Sequence, residues 1–73
     1  MDFTHKIVKN VAVLSSAASG WTKEINVVSW NNGEPVYDIR NWGPNHERVG
    51  KGITLSMDEV GVLQAALGGK RGK

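Results

Sequence analysis

Two β-prone runs, Trp21 to Trp30 and Val36 to Trp42, are separated only by Asn31-Asn32-Gly33-Glu34-Pro35. The Asn-Gly pair tolerates the positive φ angles of a tight turn, so the flanking runs are predicted to fold back on each other as a hairpin. Polarity alternates along the second run. Tyr37 and Ile39 point one way and Asp38, Arg40 and Trp42 the other, which predicts one core face and one wet face.

The remaining segments extend this hairpin into a meander. Ile7 to Leu14 is rich in β-branched side chains and predicts a first strand, whose end, Val11 to Leu14, is apolar at both parities and so expected to be buried on two faces. Ser15 to Gly20 is small and polar, a hairpin loop. After the polar loop Gly43 to Gly50, Lys51 to Leu55 predicts a short fourth strand with Ile53 and Leu55 on one side. Ser56-Met57-Asp58-Glu59 has the capping-box spacing and opens a helix in which Val60, Leu63 and Leu67, with Met57 beside them, form a stripe to cover the apolar face of the sheet. Gly68-Gly69 ends it. The predicted fold class is α+β: a four-stranded antiparallel β-meander followed by one C-terminal α-helix, a domain over residues 1–69 with a disordered basic tail at 70–73.

Size makes self-association the expectation. A 73-residue chain buries a thin core, and with no cysteine neither a disulfide nor a thiolate metal site supports it. Gly61, Val62, Ala65 and Ala66 fall on the helix side away from the apolar stripe, leaving a small-residue surface without an intrachain partner. A homodimer contact through these four residues is expected; the plainer reading is that small apolar residues are common on surfaces.

The net charge is +2, yet three of the nine basic residues, Lys70, Arg71 and Lys73, stand in the tail, and six Lys or Arg face seven acids in residues 1–69. Charge alone argues only weakly for nucleic acid. The start, Met1 to Lys6, lacks the apolar stretch of a signal peptide, and no apolar run is long enough to span a bilayer, so a cytoplasmic, nucleoid-associated protein without a membrane partner is expected.

Catalytic machinery is not evident. His5 and His46 are expected in a fraying terminus and a polar loop, neither at metal-ligand spacing. Ser15 and Ser16 lie in no nucleophile elbow, and Gly50-Lys51-Gly52 is too short to cradle a phosphate. Asp38 and Glu59 have structural roles in prospect, as the strand partner of a base and as a cap. No catalytic residue, metal, cofactor or small-molecule substrate is expected.

Three tryptophans in so short a chain are conspicuous. Trp21 shares parity with Ile25 and Val27 and is assigned to the core. Trp42 lies on the Asp38/Arg40 face, and Trp30 ends its strand at the parity of Thr22, Glu24 and Asn26, so both rings can stand on one face. Rings beside cations suit unpaired bases, whose π-faces stack while their phosphates take the positive charge; duplex DNA hides those faces. Pattern alone leaves two readings, a binding face or a dimer seam. A protein-interaction module whose aromatic face grips a polypeptide is the rival from another class.

Tyr37-Asp38-Ile39-Arg40-Asn41-Trp42, followed after a loop by Gly50-Lys51-Gly52-Ile53-Thr54-Leu55-Ser56 and an acidic helix start, resembles the DNA-binding domain of the positive cofactor four family of transcriptional coactivators. Residues 5 to 68 are similar throughout to its short bacterial members of the YdbC type, including Gly20-Trp21, Val28-Ser29-Trp30 and Glu34-Pro35. The resemblance implies a dimer holding single-stranded DNA with little sequence preference. It implies Trp30, Arg40, Trp42 and Lys51 as contacts, to which Lys23 and Asn26 are added as weaker candidates; RNA stays an alternative partner. Val27 and Val28 stand where the family tends to carry a basic residue, and the long basic arm of the eukaryotic coactivators has no counterpart in these residues, so only DNA binding carries over.

Overall fold

The computed structural model describes residues 4–68; the tail assigned to 70–73 lies outside them. Strands β1 (His5–Ser16), β2 (Thr22–Trp30), β3 (Val36–Trp42) and β4 (Val49–Leu55) form one antiparallel sheet in that order, and helix α1 (Met57–Ala66) follows. A single 3-10 turn, Pro44–His46, sits between β3 and β4. The expected meander and helix are both present.

The β2–β3 turn forms where predicted, with its strain placed differently. Positive φ falls on Asn31 (49°) and Asn32 (64°), one residue earlier than the Asn32-Gly33 pair would place it, and Gly33 N–H donates to Trp30 O at 2.8 Å. Asparagine tolerates this backbone region better than most side chains. Asn31 also ties down the chain start: its N–H donates to Thr4 O at 2.8 Å and its Oδ1 accepts from Thr4 N at 2.9 Å. His5, expected at a fraying terminus, is therefore a strand residue paired with Trp30.

β1 is the irregular element. Its register against β2 slips at Val8, Val11 and Leu14, one extra residue each time. All three side chains are exposed, so the two-sided burial expected for Val11 to Leu14 is not found. Each bulge bends the strand and adds twist. The sheet curls accordingly: Trp42 pairs with Thr22 and Trp30 lies eight residues further along β2, roughly 26 Å in a flat strand, yet the two ring centroids are 6.5 Å apart.

This curl reverses the expected roles of the two faces. The inner face, carrying Glu24, Asn26, Val28, Asp38, Arg40 and Trp42, is the more deeply buried one, while Tyr37 and Ile39 on the outer face are only half-buried. Curling crowds the inner side chains until they cover each other. The single helix leaves much of the outer face open.

α1 starts as its sequence prescribes. Ser56 Oγ accepts from Glu59 N at 3.1 Å while Glu59 Oε1 accepts from Ser56 N at 2.9 Å, the complete capping box. Val60 and Leu63 are half-buried over the outer face, but Met57 (69% exposed) and Leu67 (76%) stand largely in solvent, so the stripe covers less than expected. Gly68, at φ 76°, follows the last turn. Gly61, Val62, Ala65 and Ala66 are exposed. Among the described residues no helix is long and apolar enough to cross a membrane.

Candidate nucleic-acid interface

The inner face is organised around one ion pair. Asp38 is fully buried, and Arg40, two residues along β3 and so on the same face, grips it with Nε at 2.8 and 3.0 Å and Nη2 at 2.8 Å. Arg40 Nη1 also donates to Gly50 O at 2.9 Å. Three of the five guanidinium N–H groups are thus committed to the fold, and two are left to donate. Gly52 is the residue opposite Arg40, where an added Cβ would run into Arg40 Cβ and Ile39 O. The glycine lets β4 approach that closely.

Above this pair lies a cluster of rings. The Arg40 guanidinium sits 4.7 Å from the centroid of the Trp30 ring, and the Trp30 and Trp42 planes are parallel within 3°. His5 tilts against both, at 5.7 and 5.0 Å, and His46 tilts against Trp42 at 5.2 Å. Trp42 is fully buried beneath these neighbours, whereas Trp30 is half-buried. A partly exposed Trp42 was expected. The His5 and His46 rings that cover it arrive by long-range contacts no local pattern announces. The Trp42 Nε1–H is buried with no acceptor among the described residues, a condition that costs roughly 1–3 kcal/mol.

Beside the rings a second polar group is buried. Glu24, 3% exposed, accepts from Thr22 Oγ1 at 2.7 Å, Asn26 Nδ2 at 3.1 Å and His46 Nε2 at 3.0 and 3.1 Å, with a longer contact from Asn10 Nδ2 at 3.3 Å. Burial pushes the Glu24 carboxyl upward, but the hydrogen bonds from Thr22, Asn26 and His46 and the charge of His46 outweigh it and hold the group below the usual carboxylate range.

The residues expected to bind nucleic acid divide between the two faces. Trp30, Arg40, Trp42 and Asn26 share the inner face. Lys23, opposite Asn41, and Lys51, in step with Ile53 and Leu55, stand on the outer face, where they rim a shallow basin floored by Ile39 and Ile53. They are not brought together with the rings. Spacing held that signal, since seven residues separate Lys23 from Trp30 and an odd interval means opposite faces. Asn26 is fully buried as a hydrogen-bonding partner of Glu24 and Asn10. Trp21, assigned to the core, is half-buried, its ring so close to Gly50 that a Cβ there would lie 2.9 Å from Trp21 Cζ3. His5, His46, Asn10 and Glu24 were not among the expected site residues. For Asn10 no signal existed, because the bulge at Val8 sets which face it takes.

Residues 17–66 match the family described as Transcriptional Coactivator p15 (PC4). An uncharacterized protein of Treponema pallidum (strain Nichols) is similar to the chain, 38% identical over 66 residues that cover 90% of this chain and 78% of that relative.

Proposed function

The chain belongs to the p15 (PC4) family, and from that membership we propose that it binds single-stranded nucleic acid, DNA in the first instance, as a homodimer and without chemical turnover. The observation that carries the reading is the half-buried Trp30 ring with the Arg40 guanidinium 4.7 Å from its centroid. An unpaired base stacks on such a ring, and the two uncommitted N–H groups of Arg40 are available to a phosphate. Trp42 backs this surface from beneath.

The homodimer is part of the same proposal. One curled sheet offers a single small ring cluster, and a second copy apposed through Gly61, Val62, Ala65 and Ala66 lengthens the track available to a strand. Lys51, on the outer face of the edge strand β4, joins the track only if the nucleic acid passes around that edge. Lys23, on a central strand and on the outer face, meets a strand only if the partner leads it there.

A salt titration with oligothymidine tests this, read by tryptophan fluorescence and anisotropy. Binding quenches the fluorescence, and log K falls with log salt at about 0.7 per phosphate neutralised. On the strands of the inner face Arg40 is the one fixed cation among the described residues. A dimer using it alone gives a slope near −1.4, whereas joining both lysines of each protomer brings it near −4, taking about 0.7 per contact. No binding at low salt overturns the proposal, and a salt-independent interaction favours the polypeptide reading. Tighter binding of oligouridine than of oligothymidine makes RNA the partner.

A further inference from the structure

The fixed charges of the inner face have the wrong sign for a phosphate chain. On its strands, among the described residues, they are the Arg40 guanidinium and the Asp38 and Glu24 carboxylates, one positive against two negative. Lys6, Lys9, Lys23 and Lys51 all stand on the outer face. Asp38 is taken up by Arg40, but Glu24, held below the usual carboxylate range, stays ionised at neutral pH. A strand laid along this face therefore meets a net negative charge unless other groups on it become cations.

Two histidines can. His5 tilts against Trp30 and Trp42, ring centroids 5.7 and 5.0 Å away, and His46 tilts against Trp42 at 5.2 Å with Nε2 3.0 Å from Glu24 Oε2. A carboxylate only accepts, so His46 Nε2 already carries a proton and Nδ1 is the nitrogen that gains one. Asn45 and His46 hold consecutive φ angles of 58° and 59°, in a region that non-glycine residues seldom occupy and that recurs at functional sites. The half-buried His5 ring makes no hydrogen bond among the described residues, which leaves both of its nitrogens uncommitted. The charged groups facing these rings from packed strands are Glu24 on β2, bonded to His46, and Arg40 on β3, which shares the Trp30 ring with His5. Within their own segments, Lys6 lies on the other face, and Glu47 and Arg48, both exposed, are of opposite sign.

We infer that His5 and His46 are the proton-dependent cations of the nucleic-acid surface: protonated His46 cancels Glu24, protonated His5 donates to a phosphate, and a bound strand takes up protons. The inference rests on the single-strand reading above. Imidazole is the side chain that changes charge between pH 5 and 8, and a phosphate beside it favours the charged form. Two protons per protomer turn the face from one negative charge to one positive. Linkage fixes the sign: affinity is highest in mild acid and falls as the rings deprotonate.

The test measures oligothymidine affinity of the full chain from about pH 5.5 to about pH 7.0, below the range in which a chain-terminal amine titrates. Affinity is expected to fall roughly tenfold over this interval, the low end of what a hydrogen bond to a charged group contributes. The salt slope is steeper at the acid end, by about 0.7 for each phosphate that a histidine neutralises. His5→Gln removes this change in slope. His46→Gln, whose amide can still donate to Glu24, keeps it but binds more weakly in acid. His5→Lys, a cation throughout, retains at neutral pH the slope that the unaltered protein shows in acid, which separates loss of charge from loss of fold; thermal melting checks each variant. Affinity equal across the interval in the unaltered protein, or a pH dependence that survives in the His5→Gln, His46→Gln double variant, overturns the inference while leaving single-strand binding standing. Failure to bind at either end overturns the single-strand reading instead.

Discussion

Arg40 and Asp38 stand two residues apart on one strand and are unequally placed: the carboxylate is fully buried, while the guanidinium side chain keeps 14% of its surface exposed. Removing either partner therefore has different costs. Arg40→Ala strands a buried charge and is expected to destabilise the fold by about 3–5 kcal/mol. Asp38→Ala leaves a cation that reaches water and costs less. Urea unfolding of the two variants measures the difference, and an equal loss contradicts the asymmetry.

Acid acts on Glu24. Its carboxyl is held below its ordinary 4.5 in the folded chain, so it contributes stability that is present above the unfolded value and is lost as pH falls through the folded one. Thermal melting of the parent protein should decline as pH drops below 4.5, and Glu24→Gln should decline less over the same interval. Parallel curves would mean that other carboxylates govern acid unfolding.

The two inner tryptophans separate stability from binding. Trp42, fully buried, is expected to cost about 3–5 kcal/mol of stability on truncation to alanine. Trp30, half-buried, loses less stability and roughly 1–3 kcal/mol of oligonucleotide affinity, one stacked base. Melting and affinity measured on the same pair of variants decide this. A well-folded Trp30→Ala with full affinity removes Trp30 as the platform.

For assembly, sedimentation equilibrium is expected to give twice the 7.9 kDa chain mass at micromolar concentration. Val62 is 70% exposed in the single chain. A lone surface valine accepts glutamate within about 0.5 kcal/mol, whereas at a helix contact Val62→Glu shifts the protein toward monomer.

Legibility in the sequence followed the range of the interaction. The Asn31–Asn32 turn and the Ser56–Glu59 box are local, and both formed where their residues stand. Parity along β3 was also readable, and it separated Tyr37 and Ile39 from Asp38, Arg40 and Trp42. Which of those sets is buried was not readable, because it depends on the sheet's curl, and the curl comes from extra residues at Val8, Val11 and Leu14 that look like ordinary strand formers. The same bulges brought Asn10 to the inner face. His46 joined Glu24 through a contact spanning 22 residues.

The slips in β1 also bear on how copies of this chain can join. A sheet grows by adding a strand to an edge whose N–H and C=O groups keep regular spacing, and an edge interrupted three times over twelve residues is a poor template. Only the β4 side, regular from Gly52 to Leu55, remains serviceable. With one usable edge per chain, joining through sheets can link two copies about a two-fold axis and then stops, because neither leaves a second edge for a third. Growth of one continuous sheet from the folded state is disfavoured by the same irregularity that curls the sheet.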